Sequence, residues 1–187
     1  MSMTREQFVK QWSPFVQQIT QGTGLFPETV LSQAIVESQS PRTGLIPGTQ
    51  LSREHNNYFG IKAGGGWKGA TVNLKTGEVF NNQAVIITDT FRKYATPDDS
   101  FRDYVQFLRN NQRYTRAGVF SAKTPAEQAQ ALQRAGYATN PKYAELLAAV
   151  QRGIARWIIP NTGSIAALAA ALLFFLLITK PTKRKTV

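Results

Sequence analysis

Apolar residues recur at three- and four-residue intervals through most of this chain, and one central stretch departs from that rhythm. Phe8, Trp12, Phe15, Val16 and Ile19 share a helical face, and Thr4 followed by Gln7 has the spacing of a capping box ahead of them. Ser13-Pro14 falls inside this run and predicts a kink or a restart. Gly22-Thr23-Gly24 ends the pattern. Pro27 suits the first turn of a second helix, whose apolar face is Val30, Leu31, Ala34 and Ile35. At about 100° per residue, Glu37 then lies within about 20° of Val30 and about 60° of Ala34, at the border of the buried stripe.

Pro41, Gly44, Pro47 and Gly48 mark an irregular loop, and Ala63-Gly64-Gly65-Gly66 marks another. Beyond Trp67 the texture turns strand-like: Thr71 to Leu74, Glu78 to Phe80 and Val85 to Thr90, with a turn at Asn81-Asn82. Thr96-Pro97-Asp98-Asp99 reads as a capped helix start ahead of Phe101, Tyr104, Val105 and Leu108, and Thr124-Pro125-Ala126-Glu127 repeats the device. Gly136 predicts a helix stop. Asn140-Pro141 predicts the start of a last helix with Tyr143, Leu147, Val150 and Ile154 on one face. The pattern is that of an α+β domain, mainly helical, with a small β-hairpin lobe.

One segment is neither amphipathic nor alternating. Trp157 to Thr179 carries no charge, and Lys180, Lys183, Arg184 and Lys185 follow. A helix over Thr162 to Thr179 would measure about 27 Å, against a hydrocarbon core of about 30 Å. Apolar on every side and next to a basic end, it predicts one C-terminal transmembrane helix, with a buried core helix as the competing reading. The expected organisation is a domain over residues 1–156, a linker over 157–164, a transmembrane helix over 165–179 and a basic tail over 180–187. Met1 to Gln11 mixes charges with apolar residues and does not read as a secretory signal. The expected location is a single-pass C-terminal anchor, in a bacterial membrane or in the internal membrane of a phage particle as a virion-associated lysin.

The net charge of +11 changes this picture little, because four of the cations sit in the tail and the rest are scattered as on a solvated basic surface. No nucleic-acid module accompanies the charge, so no such partner is expected. Absence of cysteine excludes a disulfide framework, a thiolate metal site and a cysteine nucleophile. His55 is the lone histidine, and neither a metal nor a cofactor is expected. The glycine run before Trp67 lacks the Lys-Ser/Thr of a phosphate-binding loop.

The chemistry lies in separated words that keep one order. They are Ala34-Ile35-Val36-Glu37-Ser38, Asn56-Asn57-Tyr58-Phe59-Gly60-Ile61-Lys62, Phe91-Arg92-Lys93-Tyr94, and Ala135-Gly136-Tyr137-Ala138-Thr139-Asn140-Pro141-Lys142-Tyr143-Ala144. In these words the chain, over about residues 5 to 152, resembles the glucosaminidases of glycoside hydrolase family 73, the group that includes the wall-cutting domain of the flagellar rod-cap protein and many bacterial autolysins. The resemblance implies a lysozyme-like fold. It also implies an endo-β-N-acetylglucosaminidase that cuts the β-1,4 bond between N-acetylglucosamine and N-acetylmuramic acid, with peptidoglycan glycan strands as partner.

Cleaving a glycosidic bond requires an acid for the departing oxygen, and usually a second carboxylate. An ordinary Glu is ionised at neutral pH, whereas a desolvated one keeps its proton. The family's acid is the Glu of the Ala-x-x-Glu-Ser word, which falls on Glu37, the residue already singled out at the stripe border. The resemblance places the second carboxylate on Glu78, and Glu78 is the only acid between Glu54 and Asp89. A solvated strand Glu would read the same, and Asp89 and Glu54 are the other acids within range. Flat side chains with a polar tip suit sugar rings, so Tyr58, Trp67, Tyr94, Tyr137 and Tyr143 are groove candidates. The resemblance favours Tyr137 beside the acid and Asn57 with Phe59 on a substrate-facing loop. Trp67 and Tyr143 complete the expected substrate-binding set.

The chain departs from the family where many members continue Glu-Ser-Gly-Trp-Gly and this one has Glu37-Ser38-Gln39-Ser40-Pro41. That alters the groove wall beside the acid and bears on substrate length more than on the reaction. Two other readings stay open: a muramidase or lytic transglycosylase of the lysozyme-like group, and a wall-binding membrane protein without turnover.

Overall fold

The helix that carries Glu37 is buried nearly all round, which puts it at the centre of the molecule. In this helix, α2 (Pro27–Ser38), every residue from Thr29 to Ile35 is buried, and so is Ser38. Such a helix must be enclosed by others. Around it pack α1 (Arg5–Thr20), α6 (Pro125–Arg134) and α7 (Tyr143–Ile154). The structure is a computed structural model that describes residues 1–158 apart from 65, 81 and 82, with the backbone alone for 78–80, 83 and 84.

The remaining elements are α3 (Gln50–His55), β1 (Thr71–Phe80), β2 (Gln83–Arg92), α4 (Pro97–Asn110) and α5 (Gln112–Arg116). Trp12 stacks on Phe101 of α4 at 4.7 Å between ring centroids, and Phe8, Tyr58 and Phe59 close round the same ring. Each such aromatic contributes roughly 2 kcal/mol or more by leaving water. The arrangement is mainly helical with one small antiparallel sheet, as expected.

Local expectations met different fates. The capping boxes at Thr4 and Thr96 both form, and Pro27, Pro97 and Pro125 all sit in first turns. The restart expected at Ser13-Pro14 is absent: α1 runs through Pro14 unbroken. Burial of Phe8, Val9 and Trp12 before the proline and Val16 after it outweighs the one backbone bond that Pro14 cannot make. Helix α3 was hidden in Pro/Gly-rich surroundings, although its cap is regular, with Thr49 accepting from the Ser52 amide at 3.2 Å. The last helix begins at Tyr143 and not at Asn140-Pro141, because the Asn140 side chain accepts from the Lys142 amide at 2.9 Å and makes a turn there first.

The β lobe is longer than the pattern suggested. β1 and β2 pair without interruption from Thr71↔Arg92 to Phe80↔Gln83, so Lys75-Thr76-Gly77 stays in register opposite Ile86-Ile87-Thr88. The β-branched partner strand carries the polar triplet. At the root, Ala63 donates to Thr90 O at 2.8 Å and Arg92 donates to Ile61 O at 3.0 Å. The expected turn at Asn81-Asn82 lies outside the described residues. So do the predicted transmembrane helix, the basic tail and most of the linker. Among the described residues no helix is long and apolar enough to cross a membrane.

Candidate active site

Glu37 occupies the last turn of α2, where that helix comes back to the surface. Its partly buried carboxyl stands at the waist of a groove. On one side the groove opens into a cleft of about 520 Å³, walled by residues 59–64 and by α4 and α5. On the other it continues into a hollow of about 340 Å³ between the start of α3 and Leu74 to Thr76 of β1. Glu37, Gly60 and Lys62 border both. Gly60 has φ +65°, and a Cβ there would come within 3.7 Å of Glu37 Oε2. Glycine both permits the turn and leaves the carboxyl open.

Burial lifts the Glu37 pKa from 4.5 to about 7, against the opposing effect of a hydrogen bond from Tyr143. The position acts in the same direction as burial, since the C-terminal turn of a helix disfavours negative charge. The Tyr143 hydroxyl donates to Glu37 Oε1 at 2.8 Å. Burial first, and the Glu37 charge next, hold the Tyr143 proton well above the ordinary tyrosine range, so it remains a donor. Tyr137 stacks on Tyr143 at 5.8 Å and donates to Phe59 O at 2.9 Å, which ties the last helical unit to the loop that walls the cleft.

The structure thus gathers Glu37, Phe59, Tyr137 and Tyr143, in different relations to the groove. Tyr137 lines it, Phe59 borders it from a buried place against Tyr104, and Tyr143, also buried, stands behind the acid. Asn57 is 1% exposed and faces the backbone, not the groove. It donates to Ile61 O and Arg92 O at 3.0 and 2.9 Å, and its Oδ1 accepts from the amides of Phe59 and Ile61. Its part is to shape the loop. Trp67 packs over the Arg92 guanidinium at 4.5 Å, at the root of the ribbon. Glu78 sits on β1 opposite Val85, two residues beyond Thr76 of the groove wall, and its side chain lies outside the description. Asp89 is paired with Lys62 at 2.7 Å.

Sequence reasoning missed the far wall, where Arg92, Asp103, Gln106, Asn110 and Arg113 line the cleft. Asp103 is not a second free carboxylate, because Arg92 binds it at 2.7 Å and the Tyr94 hydroxyl donates to it at 2.6 Å. The signal available was Arg92 in the Phe-Arg-Lys-Tyr word, a cation among strand residues that calls for a partner. The loop after Glu37, where the family pattern lapses, is tied to the N-terminal segment: Gln39 accepts from Arg5 Nε at 2.7 Å, and Ile46 is buried and bridged to Met3.

Comparison with known proteins identifies the family. The sequence model of the family described as "Mannosyl-glycoprotein endo-beta-N-acetylglucosaminidase" matches residues 13–155. The chain is 36% identical over 152 residues to the peptidoglycan hydrolase FlgJ of Pseudomonas aeruginosa, covering 81% of this chain and 37% of that protein. It is 34% identical over 148 residues to the exo-glucosaminidase LytG of Bacillus subtilis, covering 76% and 49%. It therefore spans less than half the length of either relative. A crystal structure of a mutant peptidoglycan hydrolase from Sphingomonas sp. A1 superposes with a TM-score of 0.65 at 32% identity, covering 80% of this chain and 94% of that one. The matched residues contain the acid, the groove and the ribbon, and the chain belongs to the glucosaminidase family of glycoside hydrolases.

Proposed function

We propose that this chain is a peptidoglycan hydrolase that cleaves the β-1,4 bond between N-acetylglucosamine and N-acetylmuramic acid, with Glu37 as general acid. The observation that carries the reading is a single carboxyl lifted to about 7 at the waist of a groove that continues on both sides of it. Such an acid still holds its proton near neutrality and yields it readily to a developing alkoxide. A groove passing the acid in both directions suits attack within a polymer, hence an endo-acting enzyme. Tyr137, partly exposed on the cleft wall, offers a flat surface to a sugar ring. The relatives named peptidoglycan hydrolase and exo-glucosaminidase support the substrate class and a glucosaminidase reaction.

Glu78 is the proposed second carboxylate, activating water or stabilising the oxocarbenium-like transition state. Support comes from its place on the strand that walls the groove and from the engagement of Asp103 elsewhere. Residues 165–179 are proposed to anchor the enzyme in a bacterial membrane or in the internal membrane of a phage particle, on the strength of the uncharged run and the basic end after it. Mass spectrometry of purified particles tests the second setting.

Glu37→Gln should fold and lose about two to four orders of magnitude in turnover of isolated walls, the usual share of general acid catalysis. Full turnover in that variant would sink the assignment. The parent's product should carry an N-acetylglucosamine reducing end. A muramic acid reducing end would identify a muramidase and an anhydro-muramic end a lytic transglycosylase, while a parent that binds walls without cutting them would be a binding protein.

A further inference from the structure

Behind the acid runs a chain of polar side chains that the groove does not reach. The Tyr104 hydroxyl, from α4, donates to Gln33 Oε1. Gln33 Nε2 donates to the Tyr143 hydroxyl oxygen at 3.0 Å, and Tyr143 in turn donates to Glu37 Oε1 at 2.8 Å. Gln33 and Tyr104 are 0% exposed. Gln33 lies one turn before Glu37 on the same side of α2, where apolar side chains would fill the space without needing partners. Successive polar groups joined end to end through an aromatic core call for a reason other than packing.

The direction of the chain follows from the chemistry of its members. An amide nitrogen only donates and an amide oxygen only accepts. With Tyr104 donating to Oε1, Nε2 faces Tyr143 and occupies a lone pair of its oxygen, which leaves the Tyr143 proton for Glu37. Oε1 of Glu37 is then an acceptor in both protonation states, and the dissociable proton belongs to Oε2. That oxygen is the one beside Gly60, on the groove side.

We propose that Gln33 and Tyr104 are positioning residues for the glycosidase reaction: acting through Tyr143, they keep the acidic proton of Glu37 on Oε2, the oxygen that meets substrate. The inference rests on the reading of Glu37 as general acid. The other groups around the carboxyl do not supply this order. On the groove side stand Lys62, Arg92, Asp103 and Arg113, with Lys75 on the ribbon, and of these Lys62 is bound to Asp89 and Arg92 to Asp103. Behind it stand the neutral tyrosines 104 and 143, with the neutral Tyr137 at the cleft wall.

The test uses the full chain with Tyr143→Phe, Gln33→Met and Tyr104→Phe. Two quantities are read across pH: kcat and KM on a soluble peptidoglycan fragment, and the carboxyl ¹³C shift of Glu37. Weakening a bond to the carboxylate raises its pKa, so the basic limb and the titration should both move to higher pH. The move should be about one unit for Tyr143→Phe, about half a unit for Gln33→Met and less for Tyr104→Phe. In Gln33→Met, kcat at the optimum should fall about three- to tenfold with KM held within about twofold, the mark of an acid present but badly aimed. Tyr104→Phe keeps the ring that stacks on Phe59 at 4.0 Å, and it carries the test if Gln33→Met does not fold. Unmoved titrations and pH profiles in Gln33→Met and Tyr104→Phe, with only the melting temperature lowered, would overturn the proposal. If instead Glu37→Gln keeps full turnover, the general-acid reading fails, while the carboxyl titrations still report whether the chain acts on Glu37.

Discussion

At the residue scale, the property of Glu37 that suits it to donate a proton also makes it a liability to the fold. Its pKa is about 7 in the native protein and 4.5 as an unperturbed group, so the native state binds more protons than the unfolded chain between those values. The stabilisation is fully present below the lower value and is lost as pH rises through the upper one. The two pKa values convert to about 3 kcal/mol, which the open groove beside the carboxyl reduces to about 2 kcal/mol. Glu37→Gln, neutral and of equal size, should match the parent in urea unfolding at pH 4 and exceed it by about 2 kcal/mol at pH 8. Parallel stability curves for the two proteins across that window would show that the carboxyl is not desolvated. The same residue was also the most legible from sequence, because it lies at the edge of a helical stripe and inside the Ala-x-x-Glu-Ser word. Asn57 was not: an asparagine that feeds a groove and one that braces its own loop look alike until the four backbone partners are known.

At the scale of elements, the ribbon of β1 and β2 is fastened to the helical body by a joint of few side chains. Arg92 lies between the rings of Trp67 and Phe107, at 4.5 and 5.4 Å, and binds Asp103 of α4. Both charges are largely removed from water, so deleting one should strand the other. We expect Arg92→Met to cost about 3 kcal/mol and the pair Arg92→Met with Asp103→Leu to recover much of that loss. Urea titrations of the parent, single and double variants give the coupling, and strict additivity would mean that the pair does not hold the joint. Elements with their own punctuation were readable ahead of the structure: threonine caps, first-turn prolines, and Gly136 at φ +71° after α6. The short α3 and α5 were not, for neither is long enough to display a period. The full length of the ribbon was hidden because its polar middle is carried by pairing with the other strand, which a local window does not see.

At the scale of the whole molecule, the domain and the uncharged C-terminal run should behave as separable parts. If residues 165–179 span a bilayer, the full chain should stay with membranes through high-salt and alkaline washes and need detergent for release. Attachment by the basic tail alone would be undone by salt, which screens charges beyond about 10 Å at 0.1 M. A full chain that is freely soluble without detergent would place that segment in the enzyme's own core. The ribbon raises a different matter, one of leverage. From Thr71 to Glu78 the strand climbs about 24 Å at about 3.4 Å per residue, and no residue from Thr71 to Gly77 is buried. A turn of about 10° at the root would carry the Glu78 backbone through about 4 Å, which matches the gap between the roughly 5.5 Å carboxylate spacing of retaining glycosidases and the roughly 9.5 Å upper limit of inverting ones. If Glu78 is the second carboxylate, the stereochemical outcome becomes an angular quantity, set at the Arg92–Asp103 joint as well as by the carboxylates. A substitution there could redirect the reaction from a full arm's length away.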